Sequence, residues 1–500
     1  MKKVLIFSGN NDFNALELAL ENVECGNQVV LIQCDKTLQL CQHNRFGNPI
    51  MCAHCKHAMK NVINKIGLDK KVKLLYLSDL LNDDDSKAAQ SFSFSFNSVK
   101  DIKAITYQNV EVGQGAFSSY VTFTRNVMPD MTPEFKDYIS FLIRKEVEMC
   151  HAIDRLHKEN RFELLVLHNG RFAQFKPLLG YAREHRIDYI CTEQRFSENK
   201  LLKDIFYNNI PHDIEYVSGN VIKNWEKGDP NEREIIGRDF FERRKKGLPA
   251  GDKVYTKDQK AGTLPDGWDD GVENIAIFNS SEDEFLAISK EYDSYLLFPN
   301  QYVALQTIFE HYKGDKTKHF YLRIHPNLKN VPYKSHVALY KLHYDNVTII
   351  PANSNISSYA ILDNCDKVII FDSTMGVEAT YAGKPVIALS KYFYTILDMV
   401  HTPSNPEELW KLIEQKDLPC KMNDNVIKYG YFMMHQNYPE VSKVPYKYVC
   451  FTLFGKTFTD YSIMKLFGSY KMNVLVEFFL NKIKIFSQFK KLPCTEPYQG

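Results

Sequence analysis

No long apolar run occurs in this chain. Nowhere do 18 or more apolar residues follow one another, so no segment is expected to span a membrane as a helix. The opening MKKVLIFSGNNDF is apolar only over residues 4–7 before Ser8 and Gly9, too short for a signal-peptide core. An excess of one charge is missing too. Sixty-two Lys and Arg stand against 61 Asp and Glu, a formal net charge of +1. Without a broad basic field, no nucleic-acid partner is expected. A cytoplasmic location with reduced thiols is the expectation, so the 11 cysteines read as free thiols or metal ligands rather than disulfides. No internal repeat is present. No Asp-x-Asp pair sits at a strand end to hold a catalytic divalent ion, and none is expected; Asp83, Asp84 and Asp85 read as a solvated loop.

What is present is an ordinary globular composition, 44% hydrophobic and 25% charged over 500 residues, long enough for two or three domains. Residues 2–7 read as a buried strand, 8–11 as a tight turn, and 12–24 as a helix with Phe13, Leu16, Leu18 and Leu20 on its apolar face. Gly26 ends that helix and 28–32 is the next strand, the opening of a doubly wound parallel sheet. The theme returns with a long helix over 135–160, a strand over 163–167, a helix over 172–185 and a strand over 187–191. Residues 219–271 turn charged and glycine-rich, a helix followed by an irregular linker, and the run 242–246 reads as a solvated helix face. SFSFSF at 91–96 has strand periodicity and reads as a local edge feature. A second α/β unit starts at Asn274, with strands over 275–278, 320–324, 347–350, 367–371 and 385–389 and a helix expected after the first of them. The fold class expected is therefore α/β, two Rossmann-like units facing a cleft. Their bounds are 1–225, a linker over 226–273, 274–420, and a C-terminal helical extension over 421–500.

Ligands of such sheets gather beyond the carboxyl ends of strands. In KVIIFDSTMGVEATYAGKPVIAL a strand runs into Ser373 and Thr374, either of which can cap the helix that follows. Its free N–H groups would suit an anion, Gly376 would let a phosphate approach, and Glu378 on the first turns would suit sugar or ribose hydroxyls. Ser280 and Ser281 lie at another strand-to-helix mouth. Arg323 and His325 stand on alternate residues at a third strand end, where both point to one face of the pleat. Each taken alone is as readily a cap or a surface feature; the combination of three polar mouths in one sheet is more specific.

The blocks FNSSEDEF (278–285), LRIHPN (322–327) and SYAILDNCDKVIIFDSTMGVEATYAGKPVI (358–387), with HNGR (168–171) and TEQ (192–194), resemble GT-B glycosyltransferases of bacterial capsule and surface-polysaccharide synthesis, including those of the Kdo-transfer type. The likeness spans 168–387 and leaves the first 160 residues and the tail uncovered. It implies a nucleotide-activated sugar donor on the second unit, with Ser280, Ser281, Arg323 and His325 on its phosphate, and a glycan or lipid-linked glycan acceptor on the first. Sugar transfer then needs a base for the acceptor hydroxyl and cationic donors for the leaving phosphate. Arg323 and His325 suit the second task. For the first, Glu193 follows a strand and has no capping duty, whereas Asp12 is also a helix N-cap; Glu193 is the first choice and Asp12 the second. Asn169 and Arg171 on the acceptor side would orient the base or the acceptor. An ion pair of Glu193 with Arg171 or Arg195 that only shapes the loop is the structural alternative. Readings from other classes are a nucleotide-sugar epimerase of the same fold and a zinc-dependent interaction module.

Two features remain. Cys34, Cys41, Cys52 and Cys55 form a C-x6-C-x10-C-x2-C pattern in what reads as an insertion after the second strand. Four thiolates suit a closed structural zinc site and, less well, an iron–sulfur cluster; His43, His54 and His57 are possible substitutes, and reduced core cysteines are the metal-free reading. The stretch 472–491 would form a helix with one apolar face and Lys482, Lys484, Lys490 and Lys491 near the other. It is expected either to touch the inner membrane face peripherally or to pack back on the first unit.

Overall fold

The protein, seen in a computed structural model, is described at residues 1–9, 12–41, 44, 47–197, 200–251, 256, 258–329, 334–435, 444, 449–453, 456–459, 472 and 475. The first sheet contains β1 (Lys3–Ser8), β2 (Gln28–Gln33), β3 (Lys73–Tyr76), β4 (Leu164–His168), β5 (Asp188–Ser197) and β6 (Lys200–Tyr207). Their order is β3-β2-β1-β4-β5-β6, parallel except for β6, which runs antiparallel to β5. The second sheet contains β7 (Glu273–Phe278), β8 (Lys318–Arg323), β9 (Val347–Ile350), β10 (Lys367–Ile370) and β11 (Val386–Ala388) in the order β11-β10-β7-β8-β9, all parallel. A small antiparallel pair, β12 (Val449–Leu453) and β13 (Lys456–Thr459), follows. Two doubly wound units are thus present, as the apolar runs predict.

The strand sequences explain this topology. Parallel strands are covered by helices on both faces and read as continuous apolar runs. In β1, Leu5 and Phe7 enter one buried cluster while Val4 and Ile6 enter another. In β7, Ala276 and Phe278 face one way and Ile275 and Ile277 the other. The cluster holding Leu5 and Phe7 also holds Ala276, Phe278 and Phe240, so one apolar core runs through both units.

Several elements differ from expectation. The strand after the helix Lys176–Glu184 continues to Ser197 and turns back as β6, because a polar stretch at a sheet edge can alternate faces and still pair. No long helix follows β7; a 3-10 turn, Glu282–Glu284, and a short helix, Lys290–Asp293, take its place. SFSFSF forms no strand: Phe96 is buried and Phe92 and Phe94 pack beside it, so the alternation serves side-chain packing without a sheet partner. Asp83, Asp84 and Asp85 open the helix Asp83–Ser91 rather than a loop; Asn82 caps it and Asp85 pairs with Arg155 at 2.8 Å. The cysteine-rich stretch is, from Pro49 on, the crossover helix Pro49–Lys65 that joins β2 to β3. The linker contains the helix Arg233–Lys245, which packs on Asp424–His435 from the expected C-terminal extension. Apart from Met472 and Leu475, the stretch 472–491 lies outside the described residues. No helix among the described residues is long and apolar enough to cross a membrane.

The carboxyl ends of the two sheets converge. Arg171, just past β4, donates through Nη1 to Glu284 O, just past β7, at 2.7 Å. Lys176 Nζ donates to Ile288 O at 2.7 Å, and Lys103 pairs with Asp293 at 2.6 Å. Arg125 Nη1 donates to Asn327 O at 3.1 Å.

The helices Arg233–Lys245 and Asp424–His435 meet backbone to backbone. A Cβ on Gly430 would lie 2.2 Å from Gly237 O, and one on Gly237 would lie 2.5 Å from Ile427 O. Gly430→Ala should therefore cost about 1–3 kcal/mol in denaturant unfolding, the usual penalty of overpacking. Gly219→Ala, in the helix Ile214–Lys227 with nothing within 4 Å of the new methyl, should instead leave stability unchanged or raise it by up to about 1 kcal/mol.

Candidate active site

The order of the second sheet reverses between β7 and β10, the place where open α/β sheets bind ligands. A cleft of about 1150 Å³, open to solvent, lies there. Ser280, Ser281, Arg323, His325, Ser373 and Thr374 all line it. Three strand ends, those of β7, β8 and β10, thus bring six of the expected donor residues to one cavity. Asn279, Asn327, Arg244, Tyr359 and Asp372 line it as well, without having been singled out in the sequence.

Arg323 dominates its electrostatics. The side chain is 2% exposed. It donates through Nη1 to Pro351 O and through Nη2 to Ser354 O at 3.2 Å, while the buried Nε has no partner. No carboxylate pairs with it among the described residues. Burial lowers its pKa to about 10, which leaves it charged at neutral pH. A buried cation held only by carbonyls favours an anionic ligand. His325 lies beside it. Its backbone N–H donates to Asn279 Oδ1 at 2.7 Å, and its Nδ1 accepts from Asn327 N–H at 3.1 Å, so the neutral ring carries its proton on Nε2.

The serines are held by their neighbours. Gln301 donates from Nε2 to Ser280 Oγ at 2.8 Å and accepts from Ser280 N–H at 3.2 Å. Ser281 Oγ donates to Asp283 at 2.8 Å. Ser373 Oγ accepts from Met375 N–H at 3.3 Å, and Thr374 occupies the N-cap position without a capping bond. Asp372 accepts from Ser390 Oγ at 2.6 Å, and burial pushes its carboxyl up to about 6.

Gly376 and Glu378 also have partners inside the fold. A Cβ at Gly376 would lie 2.2 Å from Ile370 Cδ1, so the glycine lets the helix Met375–Tyr381 sit on β10. Glu378 is buried and accepts from Arg244 at 3.0 Å and from the Tyr359 hydroxyl. The wall of the cleft is formed by Arg244 and Tyr359, with Glu378 behind them. Arg244 belongs to the run 242–246, where sequence alone indicates a solvated face; only its contact across the linker shows otherwise.

The first sheet carries a second polar cluster at its own switch point, between β1 and β4. Asp12 caps the helix Phe13–Glu24 by accepting from Ala15 N–H at 3.2 Å, and its other oxygen accepts from Thr192 Oγ1 at 2.8 Å. Burial raises its pKa above the ordinary carboxylate value, partly offset by His168. Glu193 accepts from Asn169 Nδ2 and from Gln194 N–H at 3.1 Å, and Asn14 Nδ2 donates to its carbonyl at 2.6 Å. Arg171 is buried; besides Glu284 O it reaches Thr122 Oγ1 at 3.2 Å. Asp12, Glu193 and Asn169 are thus gathered together, while Arg171 bridges from them to the second unit. The side chain of Arg195 lies outside the described residues.

The four cysteines lie at and before the crossover helix Pro49–Lys65. Among the described residues no group of three or more His, Cys, Asp and Glu is placed to hold an ion. Cys34 lies near Cys52, and burial pushes its thiol up to about 11. Cys52 Sγ takes a hydrogen bond from Asn44 Nδ2 at 3.1 Å, and burial raises its pKa too. Cys52 and Cys55 ride on the crossover helix, while Cys34 and Cys41 lie in the loop before it. His57 Nε2 is 2.9 Å from Asn61 Nδ2, and His43 lies outside the described residues.

Comparison with known proteins gives three results. No curated protein matches the chain. Among solved structures, the beta Kdo 2,4 transferase of Thermosulfurimonas dismutans KpsC is 15% identical, covering 61% of this chain and 86% of that one, with a TM-score of 0.36. The beta Kdo 2,7 transferase of the same protein is 15% identical over 65% and 90%, with a TM-score of 0.33, and a UDP-GlcNAc 2-epimerase from Neisseria meningitidis is 10% identical over 96% and 100%, with a TM-score of 0.20. Residues 297–428 match the family model described as capsule polysaccharide biosynthesis protein. That segment carries Arg323, His325, Ser373 and Thr374, and so includes two of the three strand ends around the cleft.

Proposed function

We propose that this protein is a glycosyltransferase of surface-polysaccharide synthesis, taking a sugar from a nucleotide-activated donor in the second-unit cleft to a glycan acceptor held at the first unit. The observation that carries this reading is Arg323, a buried guanidinium on the cleft wall with carbonyls but no carboxylate around it. The match of residues 297–428 to capsule polysaccharide biosynthesis proteins supports the polysaccharide context.

The chemistry follows from the two clusters. The acceptor hydroxyl gives its proton to Glu193 as its oxygen bonds to the anomeric carbon of the donor. The bond from that carbon to the phosphate breaks, and its electron pair leaves on the phosphate. Arg323 and the Nε2–H of His325 stabilise that growing charge, and donors already fixed in place do this without reorganising. Ser280, Ser281, Ser373 and Thr374 hold the rest of the donor.

A panel of UDP-, GDP-, dTDP- and CMP-linked sugars tests the reading: at least one should raise the unfolding temperature and release its nucleotide when a glycan acceptor is added. No stabilisation by any of them would refute it. With the donor so found, Arg323→Ala should lose roughly 2–4 kcal/mol of transition-state stabilisation in kcat/KM. Arg323→Lys should recover only part, because an ammonium lacks the planar fork.

The pH dependence has a definite sign. Above about 6 the Asp372 carboxyl on the cleft wall is ionised and repels a phosphate; below it the group is neutral. Donor affinity should therefore rise as pH falls from 7 to 5 (about one order around the group's pKa), and Asp372→Asn should flatten that rise in a calorimetric titration.

A further inference from the structure

The polar cluster of the first unit contains a histidine that the chemistry above leaves unused. His168 is the last residue of β4, the strand beside β1 where the order of the sheet reverses. A carboxylate stands at each ring nitrogen. Nδ1 is 3.9 Å from Asp12 Oδ2, and Nε2 is 3.9 Å from Glu193 Oε1. Both gaps exceed hydrogen-bond length, and the buried Nδ1 has no partner. The ring lies flat against Phe172, with centroids 6.4 Å apart, and edge-on to Phe175 at 5.7 Å.

The two carboxylates are fixed in place. Asp12 is held by Thr192 Oγ1 and Ala15 N–H, and Glu193 by Asn169 and Gln194 N–H. Asn169 has a left-handed backbone, φ 54°, followed by Gly170 at φ 88°. That strained turn delivers the Asn169 amide to Glu193, and such strain persists where a site requires it. The titratable groups facing the ring are Asp12, from the turn before the first helix, and Glu193, from β5. Arg171 acts on Glu193 from outside the pair, and both carboxylates help keep the buried Cys191 thiol protonated. Exposure is graded: the side chains of Glu193, His168 and Asp12 are 31%, 13% and 1% exposed.

We propose that His168 is a proton relay behind Glu193, so that the acceptor proton passes from Glu193 Oε1 to Nε2 of His168 while Asp12 steadies the resulting imidazolium. The inference rests on the reading of Glu193 as the base. The acceptor O–H bond breaks, the new C–O bond forms, and the sugar–phosphate electron pair leaves on the phosphate. The proton then rests on the imidazole and returns through Glu193, the exposed member, once product has gone. In water an imidazole holds a proton roughly 100-fold more tightly than a carboxylate, so the relay clears the base and keeps the acceptor proton from returning. His168 acts through Glu193 and needs no contact with substrate.

Two measurements on the full-length protein test this. The first needs no donor. With histidine ring carbons labelled and the His168 signal assigned from His168→Gln, Glu193→Gln and Asp12→Asn should each move that signal at neutral pH, as loss of a carboxylate beside a ring nitrogen requires. If neither variant moves it, the relay is overturned. The second uses whichever panel sugar stabilises the protein. His168→Gln should lower kcat by roughly 10–100-fold with KM within about twofold, displace the acid limb of the pH–kcat profile, and recover in part with added imidazole. Wild-type kcat and an unchanged profile in His168→Gln, alongside a slow Glu193→Gln (expected loss on the order of 10²–10⁴), would overturn the relay and keep the base. Near-normal turnover in Glu193→Gln would overturn the base reading itself.

Discussion

Parallel pairing of strands is the constraint on which the rest depends. All pairs in the two main sheets are parallel except β5 with β6. Parallel neighbours need a crossover, and the crossover helices cover both faces of the sheet. The faces must then be apolar, and in β1, β7, β8 and β10 they are. Polar chemistry is pushed to the loops at the strand ends. Where the order of strands reverses, adjacent loops leave in opposite directions and open a crevice. Both polar clusters of this protein lie at such a reversal, one beyond β1 and β4, the other beyond β7 and β10.

Burial of charge separates structural groups from those available to a ligand. Lys367, 1% exposed, is answered by Glu273 at 2.5 Å and Ile413 O at 2.6 Å. Arg155 is answered by Asp85, and Arg244 by Glu378. In each case a carboxylate repays the loss of water. Arg323 has only carbonyl dipoles and an unpartnered Nε. Its charge is stabilised in part within the protein, and an anion in the cleft would complete it. Glu378, a carboxylate on a helix that follows β10, is on the paired side of this contrast, with Arg244 and Tyr359 as its partners.

The segment 282–293 ties the two clusters together. It leaves β7 and lines the second-unit cleft through Glu284 and Phe285, and it accepts Arg171, Lys176 and Lys103 from the first unit. Arg171 therefore touches the wall of the second-unit cleft while its charge acts on Glu193. A shift of one unit against the other would change the spacing between the two clusters, so these contacts set that spacing.

Much of this was legible in the chain itself. Apolar runs bounded by polar mouths mark the strands, because burial on two faces is written into consecutive residues. The mouths mark Ser280, Arg323, His325 and Ser373, because a loop after a buried strand is where polar side chains can remain solvated or meet a ligand. Asp12 as a cap is local chemistry over three residues. What needed the tertiary structure was every pairing between distant segments. Glu378 meets an arginine 134 residues away, Gly376 answers to Ile370, the C-x2-C spacing lies on a crossover helix, and His168 finds Asp12 and Glu193 on two other elements. Local pattern reports how a residue partitions between water and core; which partner it meets is decided by how the crossovers wind, and that is settled only when the sheets are packed.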